Sequence, residues 1–247
     1  NIGLEAAKGE YIAIMDDDDI SLYNRLDTEA RLLDENPLVD LVFSSYYQID
    51  NNLNILGIEP KNVSQGIFPD NAFEVFKNLY LENKCDIVNS SAMFRHSVIK
   101  RIGGYGTTST GADRYLFLKM AASGVKIKAI PEPLILFRSY PGYELHLQAK
   151  RNIVLENRIK IVKSIENWLK INDIHDFDHL HAKAYSNALA RYARNKGGIA
   201  GLMIGIRALL SCPKNEAAFT TLAWYLSKVT KRLRYYSSKS FEVLKTN

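Results

Sequence analysis

The chain has 247 residues, of which 47% are hydrophobic and 24% are charged, a composition that supports a folded core and excludes an intrinsically disordered protein. Its two cysteines, Cys85 and Cys212, exclude a disulfide framework and a cysteine-based zinc site, which predicts a reducing compartment. The sequence shows no signal peptide and no apolar stretch long enough to span a bilayer, so we expect a cytoplasmic location.

The net charge of +5 conceals an uneven distribution of charge along the chain. Residues 1–145 carry 14 Lys and Arg against 20 Asp and Glu, whereas residues 146–247 carry 18 against 7. This difference indicates two segments with different partners, and the basic one suits an anionic partner. Because the sequence has no zinc-finger spacing, RNA-recognition signature or Walker-type phosphate loop, an anionic membrane surface is a better partner than nucleic acid.

Apolar runs of strand length alternate with helical patterns up to about residue 145, which predicts an α/β fold. Asn36-Pro37, Gly103-Gly104 and Gly124 provide stops for predicted helices. From about residue 146 the pattern is helical throughout. The predicted strands are 11–15, 38–47, 55–58 and 125–130, with an extended segment at 131–136, and the predicted helices are about 22–33, 72–81, 97–102 and 114–123.

Four consecutive aspartates, Asp16 to Asp19, follow the apolar run Tyr11–Met15. Such a run predicts a strand buried in a parallel sheet, and ligands of open α/β sheets bind beyond the carboxyl ends of strands. In a strand-like backbone Asp16 and Asp18 would face one way and Asp17 and Asp19 the other, so that each pair converges on a cation. Carboxylate oxygens suit Mg²⁺ or Mn²⁺. The alternative is that the aspartates serve a turn or a helix N-cap.

Arg138 follows the predicted extended segment at its carboxyl end. A guanidinium group matches the geometry of phosphate oxygens, which makes Arg138 a candidate for binding the phosphates of a ligand. The alternative is an ordinary ion pair or a solvated surface residue.

Residues 1 to about 140 contain an ordered set of short motifs. The motifs are Asn1-x-Gly3, Ala7-x-Gly9-Glu10-Tyr11-Ile12, the aspartate run with Ile20, Arg25-Leu26, Asn36-Pro37, Met93-Phe94-Arg95, Gly103-Gly104-Tyr105, Asp113 before a helix, and Pro131-Glu132-Pro133-Leu134 with Arg138. In this order they resemble the family 2 glycosyltransferases with the GT-A fold. The resemblance implies a Rossmann-like, mostly parallel sheet with flanking helices, and it places the family's metal-binding DXD motif on Asp16-x-Asp18 with Asp19 adjacent.

The activity that the resemblance implies is inverting transfer of a sugar from a nucleotide diphosphate sugar to an acceptor. A Mg²⁺ or Mn²⁺ ion held by Asp18 and Asp16, with Asp19 as a third ligand, would stabilise the charge of the departing diphosphate. Asp113 is the candidate base that deprotonates the acceptor hydroxyl, although Ala112 replaces the acid that usually precedes it in the family. The alternative for Asp113 is a helix N-cap. By family analogy, the acceptor is a saccharide or lipid-linked saccharide of bacterial surface polysaccharide synthesis.

Two other interpretations of the acidic motif remain open. Asp16-x-Asp18-x-Ile20 after an apolar strand also resembles the motif of haloacid dehalogenase-type phosphatases, in which Asp16 would be the nucleophile and Asp18 an acid. A degenerate domain that only binds a sugar is the non-enzymatic alternative. The resemblance also implies that the family's first strands and nucleobase-binding segment precede Asn1, so we expect a fragment, a partial catalytic domain over 1–145, that binds the donor weakly.

The C-terminal helical region is predicted to contact an anionic membrane surface peripherally, at the inner face of the plasma membrane. No acid occurs between residues 217 and 241, and basic and apolar residues interleave there as in helices that lie at a headgroup interface. The alternative is a solvated helix packed on the catalytic part. The basic residues are Lys228, Lys231, Arg232, Arg234 and Lys239, and the apolar ones are Leu226, Val229, Leu233, Tyr235 and Tyr236.

Overall fold

The computed structural model describes residues 1–69, 71–82, 86–106, 111–139 and 151–243. Its strands are β1 Tyr11–Ala13, β2 Ile20–Ser21, β3 Leu41–Ile49, β4 Ile55–Glu59, β5 Ala92–Arg95 and β6 Ile127–Arg138. Its α-helices are α1 Ile2–Ala6, α2 Arg25–Glu35, α3 Lys61–Ser64, α4 Ala72–Lys77, α5 His96–Ile102, α6 Ala112–Ala122, α7 Arg151–Ile171, α8 Asp178–Lys196, α9 Gly198–Ser211 and α10 Glu216–Val243. A π-helical turn, Asn78–Glu82, continues α4, and a 3-10 turn, Asn89–Ser91, precedes β5.

The strands form one mixed sheet in the order β1-β5-β3-β6-β2, with β4 pairing to the second half of β3. The predicted α/β class, with flanking helices and a helical C-terminal region, is confirmed. The pairing differs from the predicted mostly parallel sheet, because among the described strands only β3 and β6 run parallel. The physical reason is connectivity: β5, which the sequence did not predict, lies antiparallel between β1 and β3, and the turn after β3 makes β4 antiparallel to it.

Several elements depart from their predicted bounds where backbone geometry outweighs local pattern. Strand β1, which precedes the four aspartates, ends at Ala13 and not at the predicted Met15. Strand β6 runs through Pro131 and Pro133 as one strand, with register shifts in β3 opposite these prolines, which have no N–H to donate to the ladder. Helix α6 begins at Ala112 rather than Arg114, because Gly111 takes a left-handed conformation, with a φ of 76°, as its N-cap.

A single hydrophobic cluster joins the sheet to the C-terminal helices. It contains Phe43 and Phe94 of the sheet and Phe117 of α6, and it continues to Ile165 of α7 and Ala184 of α8. Helices α7 and α8 therefore pack on the α/β part, whereas α9 and α10 contribute Ala208 and Ala218 to a second cluster with Leu189 and Ala190 of α8. In the described part of the chain, no helix is both long enough and apolar enough to span a membrane.

Candidate active site

The four aspartates form a turn rather than the predicted strand extension. Asp17 and Asp18 occupy the turn, and the backbone N–H of Asp19 donates to the carbonyl oxygen of Asp16 at 3.4 Å. Asp16 and Asp19 are half-buried, whereas Asp17 and Asp18 are exposed. The alternation expected for a strand is therefore wrong, because the chain turns back at once to enter β2 at Ile20.

Sheet register brings Ser90 to the centre of this acid turn. Because β1 and β5 are antiparallel with Ala13 opposite Met93, the residues that follow β1 lie beside those that precede β5. The backbone N–H of Asp16 donates to Ser90 Oγ at 3.0 Å, and Ser90 Oγ donates to Asp19 Oδ2. One serine hydroxyl thus connects the two ends of the acid turn.

A second register places Arg138 on the other side of the acid turn. Strands β2 and β6 are antiparallel with Ile20 opposite Leu136, so the residues before β2 meet those at the end of β6. The backbone N–H of Arg138 donates to Asp19 Oδ1 at 3.0 Å, and its Nε donates to the carbonyl oxygen of Asp18 at 2.9 Å. Both carboxylate oxygens of Asp19 therefore accept hydrogen bonds that hold the loop.

Beneath the acid turn, a buried ion pair connects β1 to α2. Arg25, 1% exposed, donates from Nε to Glu29 Oε1 at 3.0 Å and from Nη2 to the carbonyl oxygen of Ile14 at 2.9 Å. Glu29 Oε2 is buried and has no hydrogen-bond partner among the residues that the structure describes. This burial raises the pKa of Glu29 to about 7, although the adjacent Arg25 opposes the shift. The ion pair holds the segment after β1 against helix α2.

Tyr105 closes the site from the segment between α5 and α6. The amide of Asn1 bridges the backbone of Tyr105, with Asn1 Nδ2 donating to the carbonyl oxygen at 3.2 Å and the N–H donating to Asn1 Oδ1 at 2.8 Å. A side chain at Gly104 would clash there, because its Cβ would lie 2.7 Å from Asn1 Oδ1. The Tyr105 hydroxyl donates to Asn89 Oδ1 at 3.4 Å. Asn1 and Asn89 thus orient one phenol toward the acids.

Asp113 lies in the first turn of α6, where a carboxylate interacts favourably with the helix dipole. The N-cap is Gly111, so the interpretation of Asp113 as the cap is wrong. Its negative charge contributes to raising the pKa of Asp16 and of Tyr105, after burial as the largest cause in both.

The carboxylates of this site repel one another. Burial, followed by the charges of Asp19 and Asp18, raises the pKa of Asp16, and burial is also the main cause of the raised pKa of Asp19. Hydrogen bonds from Ser90 and Arg138 oppose the shift at Asp19. A bound cation would relieve the repulsion among these groups.

The donor set fits a divalent ion that shares its coordination with a ligand. No group of three or more His, Cys, Asp or Glu side chains is arranged to hold a metal among the residues with described positions. Mg²⁺ is commonly held by one or two carboxylates together with substrate phosphates, so a partial set of protein ligands suffices. The exposed Asp18 and the half-buried Asp16 provide such a set, whereas the oxygens of Asp19 already hold the loop.

Hydrogen bonds of the structure bring together Asp16, Asp18, Asp19 and Arg138, whereas Asp113 is connected to them only through its contribution to the raised pKa of Asp16. Sequence reasoning missed Asn89 and Ser90. The polar run Asn89-Ser90-Ser91 before an apolar segment was the available signal, but it became meaningful only once β5 was known to lie beside β1.

Comparisons with known proteins show a similarity to glycosyltransferases over the first part of the chain. The sequence profile described as "Glycosyl transferase family 2" matches residues 1–103, which include the acid turn and Ser90 but not Asp113 or Arg138. An uncharacterized glycosyltransferase of Methanocaldococcus jannaschii is 29% identical over 139 residues, which are 56% of this chain and 45% of that protein. An uncharacterized glycosyltransferase of Haemophilus influenzae is 23% identical over 138 residues, 56% of this chain and 48% of that protein.

The chain therefore spans about half the length of these curated relatives. Among solved structures, the mannosyltransferase PcManGT from Pyrobaculum calidifontis, in complex with GDP-Man and Mn²⁺, aligns with 94% of this chain and 64% of its own. The TM-score is 0.39 and the sequence identity 18%, and we base no functional argument on this alignment.

Proposed function

We propose that the chain transfers a sugar from a nucleotide diphosphate sugar to an acceptor hydroxyl, with inversion at the anomeric carbon and with a divalent cation. The match of residues 1–103 to the glycosyl transferase family 2 profile supports this proposal. Inverting transfer requires one base and a stabilised leaving group. Asp113 is the proposed base, and the acid turn with Arg138 is the proposed site for the leaving group.

The observation that carries this proposal is the acid turn, in which Ser90 and the backbone of Arg138 hold the carboxylate of Asp19 and Asp18 stays exposed. The charge of Asp113 contributes to the raised pKa of Asp16, and the charges of both acids contribute to the raised pKa of the half-buried Tyr105. The separation of roles follows from position, because Asp16 belongs to a hydrogen-bonded loop whereas Asp113 lies on the first turn of a helix.

Asp16 and Asp18 are the residues proposed to hold a Mg²⁺ or Mn²⁺ ion. Such an ion, when bound, neutralises the negative charge that develops on the departing diphosphate. Asp19 was predicted as a third ligand, and its two hydrogen-bonded oxygens now favour a positioning role. Arg138 is held against the acid turn through its Nε and backbone N–H, and we propose that its guanidinium group faces the diphosphate.

Asp113 is proposed to accept the proton of the acceptor hydroxyl as the hydroxyl oxygen attacks the anomeric carbon. Ala112 leaves the base without the neighbouring acid that the family usually has. The half-buried position of Asp113 suits this role, since partial exclusion of water strengthens its interaction with a nearby hydroxyl.

A saccharide or lipid-linked saccharide of bacterial surface polysaccharide synthesis is the proposed acceptor class, with peripheral contact to an anionic membrane through the basic C-terminal helices. The excess of 18 basic over 7 acidic residues in residues 146–247 supports that contact. Of the basic residues predicted to take part, Lys228 and Lys231 have described side chains, and Lys228 lies 3.8 Å from the ring centre of Trp224. Arg232, Arg234 and Lys239 lie outside the described side chains.

The test is an assay of product release by the full natural protein with a panel of nucleotide diphosphate sugars. We expect release of nucleoside diphosphate that requires Mn²⁺ or Mg²⁺ and is stopped by a chelator. Release of inorganic phosphate instead would favour the phosphatase interpretation. Metal-independent donor binding without any turnover would favour a sugar-binding domain, and either result contradicts the proposal.

A further inference from the structure

Helix α9, Gly198–Ser211, is oriented with its small residues inward and its large apolar residues outward. The buried positions are Gly201, Gly205 and Ala208. The side chains that face outward, which we call the outer face of α9, are Ile199, Met203, Ile206 and Leu210, with exposures of 81%, 62%, 38% and 76%. This is the reverse of the usual arrangement in water, where a helix buries its large apolar side chains.

Close packing on the inner side fixes this orientation. A Cβ at Gly201 would lie 1.9 Å from the hydroxyl oxygen of Tyr225 and 2.6 Å from the carbonyl oxygen of Ala193. The Tyr225 hydroxyl donates to that same carbonyl at 2.6 Å, which leaves no room for a larger residue. The helix therefore cannot rotate to bury Met203 or Leu210 without breaking this contact. The outward position of its large side chains is built into the fold.

The outer face is a continuous stripe along the whole helix. Its residues are spaced 4, 3 and 4 positions apart, which at about 100° per residue places them within roughly 60° of the helix circumference. A helix of 14 residues is about 21 Å long, well short of the ~30 Å needed to cross a bilayer. A stripe of this kind suits a helix that lies in the plane of an interface.

The charges around the outer face of α9 indicate which partner binds it. Lys196, Arg207 and Lys214 are exposed before, within and after α9. Between residues 196 and 231 the sequence has one acid, Glu216. Anionic lipid headgroups complement this basic surround. A second copy of the chain would instead bring one basic surround against another, which is unfavourable.

We propose that the outer face of α9 inserts in-plane into the headgroup region of an anionic bilayer. This inference rests on the peripheral membrane contact of the proposed function and assigns it to a helix other than the predicted basic run in α10. Ile199, Met203, Ile206 and Leu210 supply the apolar contact, and Lys196, Arg207 and Lys214 supply the attraction to lipid phosphates.

The test is sedimentation of the full natural protein with vesicles of phosphatidylcholine alone or mixed with phosphatidylglycerol. The double variant Ile199→Gln/Leu210→Gln is expected to lower partitioning onto mixed vesicles about 100-fold, since each large apolar side chain contributes roughly tenfold. Its control, Leu38→Gln/Ile171→Gln, removes residues of matched exposure, 75% and 83%, and should bind like the wild type. Lys196→Gln/Arg207→Gln should remove most of the preference for phosphatidylglycerol while leaving the apolar contribution.

Three outcomes would overturn the assignment: no binding by the wild type, equal loss in both double Gln variants, or unchanged binding by Ile199→Gln/Leu210→Gln. A concentration-dependent dimer that the same variant abolishes would assign the face to a second copy instead. Nucleoside diphosphate release with a water-soluble acceptor is measured in parallel. Because that assay needs no vesicles, failure of the glycosyltransferase proposal and failure of the lipid assignment give different results.

Discussion

Asp19 illustrates how neighbouring residues of one type acquire different tasks. Its two carboxylate oxygens accept hydrogen bonds from Ser90 and from the backbone of Arg138, whereas Asp18 is exposed and uses its carbonyl oxygen, not its side chain, to bind Arg138. Four chemically identical side chains are thus divided into loop anchors and candidate ligands by their hydrogen-bond partners.

Asp18→Asn is expected to weaken donor binding in Mn²⁺ about 10- to 100-fold, because the amide lacks the negative charge that holds a divalent ion. The thermal midpoint should change little, since the side chain is exposed. Calorimetric titration of the donor with and without Mn²⁺ measures the effect. Asp17→Asn, at the adjacent exposed position, is the matched control, and equal losses in the two variants would contradict the assignment.

Asp113→Asn is expected to lower kcat by about 100-fold or more, because a carboxamide cannot accept the acceptor's proton. Donor affinity should be retained, since Asp113 belongs to α6 and not to the acid turn. Steady-state kinetics combined with donor titration separates the two effects. Near-normal turnover would show that Asp113 only interacts with the dipole of α6 and is not the base. A loss of donor affinity would show that Asp113 binds the donor.

Glu29 predicts a pH dependence of stability. Its pKa of about 7 in the fold lies above its ordinary value of 4.5, so the folded state binds more protons between these values and stability falls as pH rises through this window. The contribution is fully present below pH ~4.5 and is lost above pH ~7. Glu29→Gln should lack this pH-dependent contribution. The free energy of unfolding of the wild type should therefore fall by about 1–3 kcal/mol relative to that of the variant as the pH rises from 4.5 to 7.

Urea unfolding of both proteins from pH 4.5 to 8 measures this difference. Glu5→Gln, at an exposed position, controls for the removal of one carboxylate. A wild-type stability that is parallel to that of Glu29→Gln at every pH would show that Arg25 keeps Glu29 charged throughout.

At the scale of elements, two antiparallel strand pairs assemble the site. In each pair the chain segment at the end of one strand lies beside the segment at the start of the other: residues after β1 lie beside residues before β5, and residues before β2 lie beside the end of β6. Both pairings have their ends at the acid turn, which explains why Ser90 and Arg138 meet there. Helix α6 adds Asp113 from a third direction. Close packing between elements also determines the position of α9, whose small residues allow it to approach α8 and α10.

Gly201→Ala is expected to destabilise the fold by about 1–3 kcal/mol, because the new methyl group would overlap the Tyr225 hydroxyl and the Ala193 carbonyl. Thermal unfolding followed by circular dichroism measures the loss. The control is Gly3→Ala, where a Cβ would meet nothing within 4 Å, and a helical Ala there should be neutral or slightly stabilising. Equal stability of the two variants would disprove the close packing that orients α9.

At the scale of the whole molecule, the α/β part and the C-terminal helices share a core. Ile165 of α7 is fully buried in the same cluster as Phe117 of α6 and Phe94 of the sheet. A core that the sheet shares with α7 favours their cooperative unfolding. The boundary near residue 145 was predicted from charge and pattern, and the division of the chain into two domains stays a prediction.

Ile165→Ala is expected to cost about 2–5 kcal/mol and to lower the unfolding midpoint of sheet and helices together. Ile171→Ala, in the same helix but 83% exposed, should change stability by less than about 0.5 kcal/mol. Circular dichroism and tyrosine fluorescence should report coincident transitions. Two separate transitions, with only one of them sensitive to Ile165→Ala, would show that the C-terminal helices unfold independently.

The sequence by itself determined the features that local patterns encode. Alternation of apolar runs and helical periods predicted the α/β class, and Gly103 was correctly placed as the end of α5. The acid run after Tyr11–Met15 located the candidate site, because carboxylates at the end of a buried strand have few other uses. The ordered motifs indicated a resemblance to the family 2 glycosyltransferases, and the profile of that family matches residues 1–103.

Tertiary structure decided everything that depends on which distant segments meet. Strand order and direction place Ser90 and Arg138 at the acid turn, turn geometry separates Asp19 from Asp18, and helix packing brings Asp113 toward them. It also turns the large residues of α9 outward, whereas its periodicity alone would allow them to be buried. The reason is physical: a residue's period and polarity are local properties, whereas register and close packing depend on contacts between segments far apart in the chain.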